Sequence, residues 1–352
     1  MVLCPGCMRE SKGTFCPYCG THVDAQNGPG LLPVGTVLCG SRERYLVGKA
    51  LGQGGFGVTY VALELGSGRR VAVKEYFPVR CSRRAADGVR VEPLDDMQGT
   101  YEGGRYSFLK EAKMLASLEG LPYVVQGLAY LELNNTAYLV MELLEGTPLY
   151  RIVKERGRIP ADELMGPLHG LMNDIAQLHK RQIIHRDISP DNIMLMKDGS
   201  LKLLDFGCAR SMEDGKSMTV SMKRGFAPVE QYQTRGQGPW TDVYALAATI
   251  YYCLTGVIPP ESVARLMDGA ELVPPTQLGA ALTPEEEGVL LWALTVDPHA
   301  RPADMEVFAK NLFPRASEPD RSTPVPDPVP TPVPQPQGRG FVAWLKRLFG
   351  VS

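Results

Sequence analysis

Four short stretches hold side chains whose types and spacing suit phosphate chemistry. In "HRDISPDN" (185–192), Asp187 is a carboxylate able to accept the proton of an incoming hydroxyl, and Asn192, five residues on, offers an amide oxygen. "LLDFG" (203–207) adds Asp205, a second hard oxygen ligand after a short apolar run. Magnesium takes such oxygens and shares them with phosphate groups. "LGQGGFGV" (51–58) spaces Gly52, Gly54 and Gly57 as G-x-G-x-x-G, followed by Val58. Many loops match that array by chance. Here a strand-like run follows it, where a dinucleotide fold requires a helix, so the glycines read as a flap whose N–H groups approach an anion closely. Lys74 lies in the β-type run "VAVKEYF". A lone lysine on a strand is ordinarily just solvated, so its meaning depends on a carboxylate partner. Glu111, mid-helix among the apolar residues of "FLKEAKML", suits that role, with Glu102 and Glu119 as alternatives. Such a pair would hold the ammonium against α- and β-phosphates.

The elements that must position these groups follow from patterning. "RYLVGKALG", "GVTYVALEL" and "RRVAVKEYF" are β-rich runs around the glycine loop. From about residue 105 helices dominate: "RYSFLKEAKMLASLEG" has apolar residues at helical spacing and stops at Gly120, and "LMGPLHGLMNDIAQLHKR" and "TDVYALAATIYYCLTG" are further helices. The coarse picture is α+β, a small β-rich lobe before a larger helical one. The apolar run 243–254 is too short to span a bilayer easily and reads as a buried helix. No secretory signal is visible, which places the body of the chain in the cytoplasm. A net charge of -2 gives no support for a polyanionic partner.

"CPGC" and "CPYCG" put Cys4, Cys7, Cys16 and Cys19 in two C-x-x-C turns within the first 20 residues. Thiolates are soft, and two such turns supply the tetrahedral four-sulfur shell that zinc favours. Without a secretion signal the cluster reads as a metal site rather than a disulfide framework. So short a segment cannot bury a core, and the ion would supply most of its folding free energy. Few basic groups lie nearby, which argues against specific nucleic-acid binding. The segment resembles small zinc ribbons at the ends of many bacterial proteins.

Taken together, residues 41–313 resemble a bacterial eukaryotic-like serine/threonine protein kinase, with "KEYFP" and "GFAPVEQY" resembling a subgroup of these enzymes. The resemblance implies the bilobal kinase fold, ATP with Mg2+ or Mn2+, and a protein substrate offering serine or threonine. Carried over, Gly52, Gly54 and Gly57 match the glycine-rich loop, Lys74 and Glu111 the lysine–glutamate pair, His185, Arg186 and Asp187 the H-R-D triplet with Asn192 trailing, and Asp205, Phe206 and Gly207 D-F-G. Glu230 in "APVE" and Arg301 in "DPHARP" are expected to pair, and Asp242 to brace the large lobe. Met141 would guard the back of the nucleotide pocket. Backbone groups of Glu142 and Leu144 would bond adenine, between Val58, Ala72 and Leu195. Residues 208–226 would form the activation loop, with Thr219 the foremost of the hydroxyls Ser211, Ser217, Thr219 and Ser221 as a phosphorylation site, facing Arg186.

Two departures stand out. Ser189 occupies the position where the family carries a lysine that steadies the transferring phosphate. Losing one such stabiliser typically costs about 3 kcal/mol of barrier. That slows a catalyst without abolishing it, and Lys223 is a candidate replacement. The competing reading is a nucleotide-binding, pseudokinase-like scaffold that signals by conformation. About thirty-six residues separate Lys74 from Glu111, enough for an extra packed element, with Arg80, Arg83 and Arg84 read as a solvated face. Around this domain lie the ribbon (1–20), a connector (21–40), a proline-rich linker (314–338) and an amphipathic helix (339–352). In that helix Phe341, Trp344, Leu345, Leu348 and Phe349 share a face, which calls for a partner groove, docking on the chain itself or a peripheral membrane contact.

Overall fold

The computed structural model describes residues 2–206, 223–232 and 236–314, with the backbone alone of 210–211. The expectations for Gly207, Ser217, Thr219, Ser221, the proline-rich linker and the C-terminal helix fall outside the described residues, as does the Ser211 side chain.

The chain opens with a hairpin, β1 (Val2–Leu3) against β2 (Glu10–Ser11). β3 (Val37–Cys39), β4 (Arg44–Gln53), β5 (Gly57–Glu64) and β6 (Arg70–Tyr76) follow, then a small hairpin of β7 (Ser82–Arg84) and β8 (Val91–Pro93), helix α1 (Gln98–Ala116), β9 (Gly127–Leu133) and β10 (Thr136–Glu142). The main sheet is antiparallel, in the order β3-β4-β5-β6-β10-β9. One face of the sheet carries Val47, Val58, Tyr60, Val71, Val73, Tyr138 and Val140, all fully buried, together with Glu75, while the other carries Lys74, Tyr76 and Leu139 and is the face against which α1 sets Phe108 and Glu111. Strand β3 and the fully buried Leu32 come from residues expected to be a connector, and they extend the sheet and its core.

The second lobe holds β11 (Gly146–Pro148), α2 (Leu149–Arg156), α3 (Ala161–Lys180), β12 (Ile183–Ile184), β13 (Ile193–Met196), β14 (Leu201–Leu203), β15 (Arg210–Ser211), α4 (Pro239–Thr255), α5 (Ser262–Met267), α6 (Pro284–Ala293) and α7 (Met305–Leu312). Every residue of α4 from Thr241 to Leu254 is buried, which fits an apolar run with no polar face to show. It ends at Gly256, whose φ of 75° closes the helix. α4 packs among α2, α3, α6 and α7 as the core of this lobe. Pro284 and Thr283 start α6, the threonine side chain and Glu286 forming a reciprocal cap. Among the described residues no helix is long and apolar enough to cross a membrane.

The long segment between Lys74 and Glu111 is the β7–β8 hairpin with the first turns of α1. Here the reading of the arginine cluster needs correction. Arg83 is exposed beside Glu92, but Arg84 is buried and gives two hydrogen bonds to the Glu75 carboxylate, at 2.8 and 2.6 Å. Its guanidinium lies over the Phe77 ring, 4.5 Å from the centroid. Glu75 also accepts from the hydroxyls of Tyr60 and Tyr138. A carboxylate with no exposed surface has to be paired, and this arginine is its partner.

Candidate active site

Lys74 projects from β6 between the lobes. Its Nζ stands 2.6 Å from Asp205 Oδ1 and 3.6 Å from Glu111 Oε1. Glu102 is instead half exposed against Arg105, and Glu119 is exposed past the end of α1. Burial works against the ammonium charge, but the carboxylates of Asp205 and Glu111 outweigh it and raise the lysine pKa. Glu111 is nearly enclosed. Desolvation pushes its pKa up to about 7 against the pull of Lys74, and the neighbouring Asp205 charge adds to the rise.

The catalytic-loop residues are held from below by Asp242 at the start of α4. Its Oδ2 accepts from the His185 backbone N–H and its Oδ1 from that of Arg186, both at 2.8 Å, and Oδ2 lies 3.0 Å from His179 Nε2. Burial opposes its charge, yet the His179 hydrogen bond, the two histidines and the backbone donors hold the carboxyl below its usual range. Arg186 has a φ of 68° and Asp205 a φ of 50°, uncommon values that the packing around them enforces. His185 Nε2 reaches the Leu204 carbonyl at 2.9 Å, and its ring meets Phe206 edge-on. The H-R-D and D-F-G stretches are thus tied to one another.

Asp187 sits in this loop, and the Asn192 Nδ2 donates to both its carbonyl (2.8 Å) and its Oδ2 (2.7 Å). Those bonds use the amide nitrogen and leave the Asn192 oxygen as the atom this side chain offers a cation. Desolvation raises the Asp187 pKa, and Lys223 is the strongest of the groups that offset it. Ser189 is fully buried and accepts a hydrogen bond from Lys223 Nζ at 2.7 Å.

The glycine loop is the β4–β5 hairpin, closed by the Gly54 N–H bonding to the Gly57 carbonyl at 2.8 Å. Gly52 and Gly54 have open space where a side chain would start. Ala72 pairs with both Val61 and Met141 on the face that holds Lys74, whereas Val58 pairs with Glu75 and is fully buried on the opposite face, so alternation takes it away from the expected nucleotide pocket and leaves Thr59, opposite Lys74, on the cleft side. Met141 and Leu144 pack against the first lobe's core, Leu195 against the second's. The Glu142 N–H donates to Gln126 O, and its carboxylate holds Lys202 at 2.6 Å.

Glu230 and Arg301 pair at 2.8 and 3.0 Å in a fully enclosed bidentate bond. Not foreseen from the sequence are His179 under the catalytic loop, Gln231, which donates to the Arg186 carbonyl at 2.6 Å, and Glu145, just after the segment joining the lobes. Glu145 accepts from Arg9, Arg70 and Lys197, led by Arg70, which lowers its pKa to about 2. No local pattern marks these three, because each acts through partners distant in sequence. A glutamate directly following Lys74 did carry a signal, since alternation on β6 points it away from the cleft and into the core.

At the N-terminus the Sγ atoms of Cys4, Cys7, Cys16 and Cys19 all lie within 4.8 Å of one another, a four-thiol cluster able to hold a metal ion. The two turns are built alike. Met8 N–H bonds to Cys4 O and Gly20 N–H to Cys16 O, and both donors have left-handed φ, 56° and 72°. The first turn therefore manages with methionine where the second has glycine. The cluster rests on the kinase-like lobe: Lys49 N–H donates to Pro5 O at 2.8 Å, and Arg9 reaches Glu145 at 2.7 Å.

A family model of the protein kinase domain matches residues 45–313. The chain belongs to the protein kinase family. Sperm motility kinase 3A of Mus musculus is 27% identical over 282 residues, covering 76% of this chain and 49% of the mouse protein. A probable serine/threonine-protein kinase of Streptomyces coelicolor is 30% identical over 73% of this chain and 38% of its own. The serine/threonine-protein kinase PknA of Nostoc is 33% identical over 62% of this chain and 38% of its own. This chain thus spans about half or less of those relatives. A solved structure titled PpkA-294 apo form superposes with a TM-score of 0.71 at 31% identity, over 80% of this chain and 99% of that one. The expected α+β fold, with a β-rich first lobe and a helical second lobe, is the fold found, and membership of this family implies ATP and Mg2+.

Proposed function

We propose that this protein is a serine/threonine protein kinase of the bacterial eukaryotic-like type, transferring the γ-phosphoryl group of Mg·ATP to hydroxyls of protein substrates. The observation that carries the reading is the convergence of Lys74, Glu111, Asp187, Asn192 and Asp205 on one cleft beneath the glycine hairpin. In this reading Lys74 and the loop N–H groups hold the triphosphate, and the adenine lies beside Ala72 against the backbone of Glu142 and Leu144, with Met141 behind, while Val58 and Leu195 face the two cores instead. The donor set suits magnesium, since Asn192 and Asp205 present hard oxygens to the same space. When bound, the ion would neutralise phosphate charge. Asp187 orients the substrate hydroxyl and takes its proton, the oxygen bonds to Pγ, the Pγ–O bond to the β-phosphate breaks, and ADP leaves. Rate then comes from positioning and charge neutralisation. The Glu230–Arg301 bond supports a braced platform for a peptide substrate rather than a small molecule. A conformational scaffold is the weaker reading, since the charged set is complete and Lys223 stands beside Ser189.

The test is transfer of labelled γ-phosphate by purified full-length chain beside Asp187→Asn. Wild type should label protein serine or threonine, and the variant should lose roughly 10²–10⁴-fold, the range for a general base. Equal incorporation by both excludes the assigned role of Asp187. For the N-terminal cluster we propose a single structural Zn2+ on Cys4, Cys7, Cys16 and Cys19. One zinc per natively purified chain, with four additional thiols becoming reactive on chelation, is expected. A zinc-free chain with those thiols already titratable contradicts it.

A further inference from the structure

We propose that Lys223 performs the duty that Ser189 cannot, contacting the transferring γ-phosphoryl group from the far end of the activation segment. The inference rests on the kinase reading above and adds the group that completes its charge balance.

The geometry carries it. Lys223 Nζ donates to Ser189 Oγ at 2.7 Å, and lies 3.9 Å from Asp187 Oδ1 and 3.5 Å from Asp191 Oδ2. It therefore occupies the space above position 189 and beside the proton acceptor, where a lysine growing from 189 would place its own charge. The buried serine hydroxyl acts as a seat for a borrowed ammonium. About a third of the Lys223 side chain stays exposed, so the cation remains accessible to a ligand. As the hydroxyl oxygen bonds to Pγ and the bond to the leaving β-phosphate oxygen breaks, charge spreads over the equatorial oxygens, and a cation there favours that state over the ground state. The proton still goes to Asp187.

The backbone aims this residue deliberately. Lys223 O accepts from the N–H groups of Phe226 and Ala227, closing a turn. Gly225 in that turn has a φ of 81°, and a Cβ there would fall 2.7 Å from the Pro259 carbonyl. Beyond it the segment is pinned by Ser262 to Ala227 O (2.8 Å), Gln231 to Arg186 O (2.6 Å) and the Glu230–Arg301 pair. A lysine built into the catalytic loop is always present. One delivered by this segment depends on the contacts that pin the segment in place.

The experiment compares wild type, Lys223→Ala, Lys223→Arg, Ser189→Lys and Ser189→Lys/Lys223→Ala in full-length protein, reading kcat and the ATP KM separately, with thermal melts of each. Lys223→Ala should lose roughly 10²–10³-fold in kcat, the cost of one electrostatic stabiliser, with KM changed by less than about threefold. Lys223→Arg should retain part of the rate. The double variant should regain at least about tenfold over Lys223→Ala, since the charge returns from the other side. An active wild type with Lys223→Ala unimpaired overturns this inference and leaves the kinase reading standing. A loss in Lys223→Ala that the double variant does not recover, or one matched by a collapsed melt, assigns Lys223 a merely structural role and also overturns it. A wild type that transfers no phosphate removes both.

Discussion

Glu111 and Asp205 compete for one ammonium, and the more enclosed of the two bears the cost. With its pKa pushed up to about 7 by desolvation, folded Glu111 keeps a proton that the unfolded chain has released above about 4.5. The folded state thus binds more protons between those values, and stability must fall as pH rises through that window and level off above it. In urea unfolding at pH 5 and pH 8, wild type should lose on the order of 1–3 kcal/mol more than Glu111→Gln, since a tenfold change in proton affinity is worth about 1.4 kcal/mol. Parallel pH profiles would show that Glu111 titrates normally. Glu75 makes a different case, because its charge is matched by Arg84 inside the core. Glu75→Ala strands that arginine and should destabilise by about 3–5 kcal/mol. A cost below about 1 kcal/mol would mean that Arg84 finds water.

At the scale of elements, the N-terminal ribbon and the strand beneath it depend on close approach. Gly48 in β4 lies so near the ribbon that a Cβ would fall 2.3 Å from both Met8 Cε and Pro5 O. Gly48→Val should lift the ribbon from its seat, lowering the melting temperature by about 2–4 °C for each ~1 kcal/mol lost and speeding thiol modification at the cysteine cluster. An unchanged melt and unchanged thiol rates would show that the contact contributes nothing. Such seating was not legible in the sequence, where 21–40 reads as a connector. Asn27 clamps that stretch to β4 by donating to Gly48 O and accepting from Ala50 N–H, a link between positions with no shared periodicity. By contrast β4, β5 and β6 were legible to within a residue or two, and α4 as a buried helix, because alternation and an unbroken apolar run each report burial directly. Helix α1 starts earlier than its apolar spacing indicates, at Gln98, with glycines in its first turns that mask the pattern.

For the whole molecule, the site is where two lobes with separate cores face each other. The first lobe brings Lys74, Glu111 and the glycine hairpin, the second Asp187, Asn192, Asp205 and Lys223. The sequence revealed these residues because phosphate chemistry limits which side chains serve and in what order. The resemblance also carried the Glu230–Arg301 pair and the bracing Asp242, but nothing in the sequence revealed His179 beside that aspartate or Glu145 joining Arg9, Arg70 and Lys197 across ribbon and both lobes. Those depend on how distant segments meet, which only packing decides. The most direct measurement of the central claim follows ADP formation and protein mass together in a reaction of full-length chain, Mg·ATP and a serine/threonine-containing protein. The account predicts one ADP for each phosphate gained, with the phosphate on serine or threonine. Saturable Mg·ATP binding in the cleft with no protein-bound phosphate would contradict it.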